Sequence, residues 1–95
     1  MNKTFYLYMI VCLRNNKIIS YVGYTNNLKK RLILHNSSRG AKFTRGNKWS
    51  IAYKKKIGTK SQALKEEYLL KNDKKRRLLL KKKFLKNENI NLTSI

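Results

Sequence analysis

Two apolar runs with four polar residues between them limit this fold more than anything else in the sequence. Residues 5–13, Phe5 to Leu13, are aromatic and β-branched and carry no helix caps, so they read as a buried strand. Residues 18–24, Ile18 to Tyr24, form a second β-rich run. Arg14, Asn15, Asn16 and Lys17 separate them, and asparagine tolerates the left-handed backbone angles of a tight turn. The two runs therefore predict an antiparallel hairpin.

The rest of the chain has to pack on that hairpin. Thr25, Asn26 and Asn27 offer capping oxygens ahead of Leu28, Leu32 and His35 at helical spacing, which predicts a helix over about 26–36. Residues 36–47 hold Ser37, Ser38, Gly40 and Gly46 and read as a loop. Trp49, Ile51 and Tyr53 alternate along a third strand over 49–57, which Gly58 ends. Thr59 and Gln62 have the spacing of a capping box, predicting a second helix to about Lys71. Asn72 and Asp73 interrupt it, and Asp73 can cap a third, Lys-rich helix over 74–86. The sum is one α/β domain of the α+β type: a small mixed or antiparallel three-stranded sheet flanked by helices, in the order ββαβαα. With 95 residues there is room for one modest core. The domain is expected over 1–86, with a frayed polar tail over 87–95.

Charge narrows the partners. Lys and Arg number 24 against 4 Asp and Glu, a formal net charge of +20. Such self-repulsion is tolerated when a polyanion supplies the counter-charge, and DNA and RNA are the obvious ones. A membrane-surface role for residues 74–86 competes, as does drift toward an A/T-rich genome, which inflates Lys but does not remove acids. A small ribosome-associated basic protein is a further rival. No run of about twenty apolar residues predicts a membrane span. Lys3 followed by a strand-like stretch is not a signal peptide. The single Cys12 cannot form an internal disulfide, which fits a reducing intracellular compartment: cytoplasm or nucleoid, or the nucleus if the source is a eukaryote or its virus.

Several residues could carry chemistry. Tyr6-Leu7-Tyr8 and Tyr21-Val22-Gly23 fall on the two hairpin arms, so Tyr8 and Tyr21 could lie side by side on one sheet face, although tyrosines also favour strands for packing alone. Gly23, just before a helix, would let a backbone or ligand approach closely. Arg31 and His35 project from one helix face, to hold a phosphate or shuttle a proton, or else as a solvent-facing Arg and a half-buried His. Ordinary solubilising acids are almost absent, so Glu66, Glu67, Asp73 and Glu88 are enriched for specific duty. Magnesium needs only one or two protein carboxylates, whereas a two-metal site needs a cluster this chain lacks. There is no zinc pattern and no Gly-rich loop for a nucleotide triphosphate.

Taken in order, these residues resemble the GIY-YIG nuclease superfamily, in its small stand-alone branch. Tyr6-Leu7-Tyr8 stands where the GIY triplet would be, and Tyr21-Val22-Gly23 where YIG would be. Thr25, Leu28, Arg31 and His35 are similar to the family's Thr-x-x-Leu-x-x-Arg-x-x-x-His helix, and residues 40–46, Gly-Ala-Lys-Phe-Thr-Arg-Gly, to its basic loop. Ala63-Leu64-Lys65-Glu66-Glu67 resembles its Ala-Leu-x-x-Glu helix, which selects Glu67. Tyr6 departs from the first glycine of the pattern.

The resemblance implies an endonuclease that cuts DNA by one-metal, in-line hydrolysis, with branched or flapped substrates and a repair role in view. It implies that Glu67 holds one Mg²⁺ (or Mn²⁺) and that Arg31 neutralises the phosphoryl oxygens. Tyr8 would accept the proton of the attacking water, with Tyr21 orienting water or phosphate. A free phenol titrates near 10, so nearby positive charge would have to lower it, and His35 is the alternative base. Gly23, Lys42, Thr44 and Arg45 are expected to touch the nucleic acid. A monomer is expected, with a protein partner for targeting and no membrane. The alternative is a catalytically silent binding module of the same fold.

Overall fold

The computed structural model describes residues 4–90. Strand β1 (Phe5–Arg14) and strand β2 (Lys17–Thr25) form the expected hairpin. Asn15 and Asn16 turn the chain at φ 52° and 60°, the pair of left-handed residues that a two-residue hairpin loop demands. Arg14 pairs with Lys17, and the register runs without a break to Tyr6 opposite Thr25. Strand β3 (Ser50–Ile57) pairs antiparallel with the other edge of β1, with an irregularity between Met9 and Ile10. The sheet order is β2-β1-β3, wholly antiparallel.

Being central, β1 is covered on both faces, which is why its sequence is an unbroken apolar run. Leu7, Met9 and Val11, with Val22 and Ile57, pack against Ala63 and Leu70 of helix α2 (Lys60–Lys71) and Leu85 of helix α3 (Lys74–Asn87). Tyr8, Ile10 and Cys12 face the other way, onto Trp49 and onto Leu28 and Leu32 of helix α1 (Leu28–Asn36). Cys12 is a free, buried thiol.

Three side chains cap the helices: Asn27 accepts from the Lys30 amide, Thr59 from Gln62 and Asp73 from Arg76. Helix α1 starts at Leu28 and not at residue 26, because the Thr25 hydroxyl takes the Asn27 amide at 3.1 Å and holds the preceding turn open. Strand β3 starts after Trp49 rather than on it. The Asn36 side chain binds both the Trp49 amide (2.6 Å) and the Trp49 carbonyl (3.1 Å), removing both groups from the ladder. The expected loop contains one 3-10 turn, Lys42–Thr44.

At the C-terminal end, Ile90 packs partly buried against the α2/α3 face of the core. Residues 91–95 of the expected tail, and Lys3, lie outside the described residues. Among the described residues no helix is long and apolar enough to cross a membrane.

Candidate active site

The turn fixes the site. Counting back from the Arg14–Lys17 pair sets Tyr8 opposite Gly23, while Tyr21 stands opposite Ile10. The two tyrosines therefore share a face, as diagonal neighbours across the strand pair. Gly23 supplies the space: a Cβ there would collide with the Tyr8 phenol oxygen. The close approach that this glycine permits is made by Tyr8.

The phenol ends in an open cleft of about 480 Å³, lined by Tyr8, Tyr21, Gly23, Arg31, Lys60 and Glu67 among others. Behind it lies a buried chain of polar groups. Tyr8 Oη is 2.9 Å from His35 Nε2, and His35 Nδ1 is 2.9 Å from Thr44 Oγ1. The Thr44 hydroxyl has one proton, and it goes to the Ala41 carbonyl at 2.7 Å. Thr44 must then accept from Nδ1–H, so Nε2 carries the lone pair and accepts from Tyr8 O–H. Burial and the charge of Arg31 push the imidazole below its usual 6.5, so His35 is neutral at neutral pH. Gly40 and Trp49 complete the cage: a Cβ on Gly40 would strike the His35 ring, and the Trp49 indole donates to the Thr44 carbonyl at 2.9 Å.

Burial also raises the Tyr8 phenol above 10, and the adjacent Arg31 guanidinium pulls it down without winning. The positive surroundings expected to lower its pKa are therefore outweighed by desolvation. Two further expectations are corrected by burial. Thr44 is fully buried and bonded to His35, so it cannot grip the nucleic-acid backbone. His35 is also fully buried, with both ring nitrogens engaged, so it cannot bind a phosphate oxygen directly. Lys42 and Arg45 are exposed on and just after the turn that carries Thr44, outside the cleft lining.

Arg31 reaches the cleft one helical turn before His35, and its Nε is buried with no hydrogen-bond partner among the described residues. An unpaired charged donor is costly unless something else satisfies it, and an anion in the cleft would. The adjacent glutamates diverge. Glu66 is held by Lys55 at 2.7 Å, whereas Glu67 lines the cleft with only a loose contact to Lys71 at 3.6 Å. The described residues hold no cluster of three or more potential metal ligands. A lone, loosely paired carboxylate facing a polar cleft fits a single hydrated Mg²⁺ that takes its other ligands from water and phosphate.

Lys60 escaped the sequence reading. It opens α2, where the helix dipole disfavours a cation, and that misfit was the available signal. Asn36 and Trp49 gave no such signal, since their partners lie 13 and 5 residues away.

The model of the GIY-YIG catalytic domain matches residues 4–83, and the chain belongs to the GIY-YIG family. It is 43% identical over 72 residues to a UPF0213 protein of Oceanobacillus iheyensis, covering 75% of this chain and 80% of that one. A UPF0213 protein of Limosilactobacillus reuteri is 32% identical, covering 99% of this chain and 95% of its own. One from Streptococcus pneumoniae is 36% identical over 91 residues, 94% of this chain and 86% of its own. No solved structure matches the chain. The family's nucleases act on nucleic acid and typically depend on a divalent metal.

Proposed function

We propose that this protein is an endonuclease that hydrolyses phosphodiester bonds in DNA with one divalent ion. We propose further that it selects structured substrates of the kind that arise in repair and recombination. The observation that carries this reading is one cleft in which three features meet. These are an Arg31 Nε without a partner, a Glu67 free of the bridge that ties Glu66, and a Tyr8 phenol hydrogen-bonded to a neutral histidine.

Each residue then has a defined task. Tyr8 stays protonated, so it works as a relay: its oxygen takes the proton of the attacking water as its own proton passes to His35 Nε2. Thr44 and the Ala41 carbonyl hold His35 in the tautomer that can receive it. Arg31 offers its planar donors to the non-bridging phosphate oxygens, where charge builds in the transition state. Tyr21 orients the phosphate from the adjacent strand, and Lys60 adds positive charge to the cleft lining. Glu67 would hold the Mg²⁺ or Mn²⁺, which supplies polarisation of the scissile phosphate. Lys42 and Arg45 grip flanking backbone without reading sequence. The nuclease unit runs through α3 to the packed Ile90, acting as a monomer inside the cell, with a protein partner directing it to its sites.

Cleavage of labelled duplex, flap, four-way junction, single-stranded DNA and RNA, with Mg²⁺, Mn²⁺ or EDTA, tests the reading. Metal-dependent cuts that vanish in Glu67→Ala are expected. Salt-sensitive binding with no cuts under any condition would leave a silent binding module instead.

A further inference from the structure

Phe43 is the middle residue of the Lys42–Thr44 turn, and 59% of its surface is exposed. Single exposed apolar residues are ordinary, and Tyr68 and Leu79 on the helices are as exposed. Phe43 differs in what surrounds it. Its ring lies nearly parallel to Tyr21, with centroids 6.1 Å apart and 22° between planes, and it leans on Trp49 at 6.3 Å. The turn beneath it is fixed by the buried Thr44, so the ring is presented on a rigid support.

The opening beside Phe43 is a cavity of about 330 Å³ lined by Phe43, Tyr21, Val22, Ser20, Lys71 and Arg77. Tyr21 belongs to this cavity and to the cleft that holds Arg31 and Glu67, and forms the wall between them. Lys71 spans the same boundary: its Nζ sits 6.0 Å from the Tyr21 ring centroid and 3.6 Å from Glu67. An aromatic face rimmed by two cations is the arrangement that accepts a nucleobase with its phosphates. A base inside an intact duplex has both faces covered by its neighbours. Only an unpaired one can turn a face to a protein ring.

We propose that Phe43 stacks an unpaired nucleobase next to the scissile phosphate, so that the substrate is DNA with a single-stranded segment at the cut. This rests on the nuclease reading for the position of the cut, and the stacking itself is separately measurable. Because Tyr21 lines both openings, the stacked base would neighbour the phosphate that Arg31 would hold. Lys71 and Arg77 take the phosphate that follows it.

The test uses the full chain in EDTA with 2-aminopurine placed in an intact duplex, in the same duplex interrupted by a short single-stranded gap, and in a single strand. Stacking quenches the fluorescence. Quenching is expected with the gapped and single-stranded probes and not with the duplex. Phe43→Leu, checked for a native melting curve, is expected to abolish the quench and weaken gapped-DNA binding by about tenfold, the loss typical of one stacked base. Its duplex binding should not change, and Phe43→Trp is expected to restore the quench. Equal binding of duplex and gapped probes by the native protein, or an unchanged Phe43→Leu, would overturn the proposal. Cleavage of the same DNAs in Mg²⁺ separates the two readings. Quenching without cuts keeps the stacking site and removes the nuclease; cuts indifferent to Phe43→Leu do the reverse.

Discussion

Tyr8 donates its hydrogen bond to His35 and not to solvent, and this decides what a phenol at the wall of a basic cleft can do. A free phenolate base would make the rate climb toward pH 10. A relay through His35 makes it depend on neutral imidazole instead. Because the folded-state pKa of His35 lies below 6.5, kcat/KM is expected to be level above that pH and to fall only as pH drops through the lowered value. A pH–rate profile that keeps rising through pH 8 and 9 would contradict this. The linkage to stability has the same sign. A depressed folded-state pKa contributes stability that is present above 6.5 and lost as pH falls through the folded value. Acid melting curves of native protein and His35→Gln should therefore differ in slope below pH 6.5. Tyr8→Phe keeps the ring in its place over Gly23 and removes the relay. It is expected to lower kcat by about 10²–10⁴-fold with little change in KM, read in single-turnover assays.

Among the elements, the segment between α1 and β3 does the positioning. Asn36 clasps both backbone groups of Trp49, and Trp49 in turn bonds the Thr44 carbonyl. Asn36→Ala is expected to cost about 1–3 kcal/mol of stability by denaturant melting, the penalty for stranding two polar groups. Its kcat should fall as well, since the His35 cage loosens; unchanged activity would show that the clasp is only structural. The hairpin and the three caps were legible in the sequence because each depends on neighbours: Asn15 and Asn16 in their turn, Thr59 with Gln62, Asp73 with Arg76. Even the Tyr8–Gly23 pairing could have been counted from a two-residue turn. The burial of Thr44, the tautomer of His35 and the withdrawal of Trp49 from β3 were not legible. Each depends on a partner brought close only when the sheet, α1 and the loop pack together. The same residue type, Thr, reads as a phosphate contact or a histidine lock depending on which way the turn faces.

At the scale of the molecule, 24 cations and 4 acids leave most of the charge unbalanced. The two ion pairs among the described residues are partly exposed and screened by solvent, so they add little to stability. Salt should therefore act in opposite directions on fold and function. Screening relieves self-repulsion, so the melting temperature is expected to rise with NaCl. DNA affinity is expected to fall, with a slope in log Kd against log salt of about 0.9 per duplex phosphate contacted. If the two moved together, the charge would not be serving a polyanion. Of two adjacent glutamates, Glu67 is proposed to serve the chemistry while Glu66 holds Lys55. Single-turnover cleavage by Glu67→Gln and Glu66→Gln, side by side in Mg²⁺, tests it most directly. Loss of cleavage in Glu67→Gln with DNA binding retained is expected, and near-native rates in Glu66→Gln. Equal rates in the two variants, or the greater loss in Glu66→Gln, would contradict it.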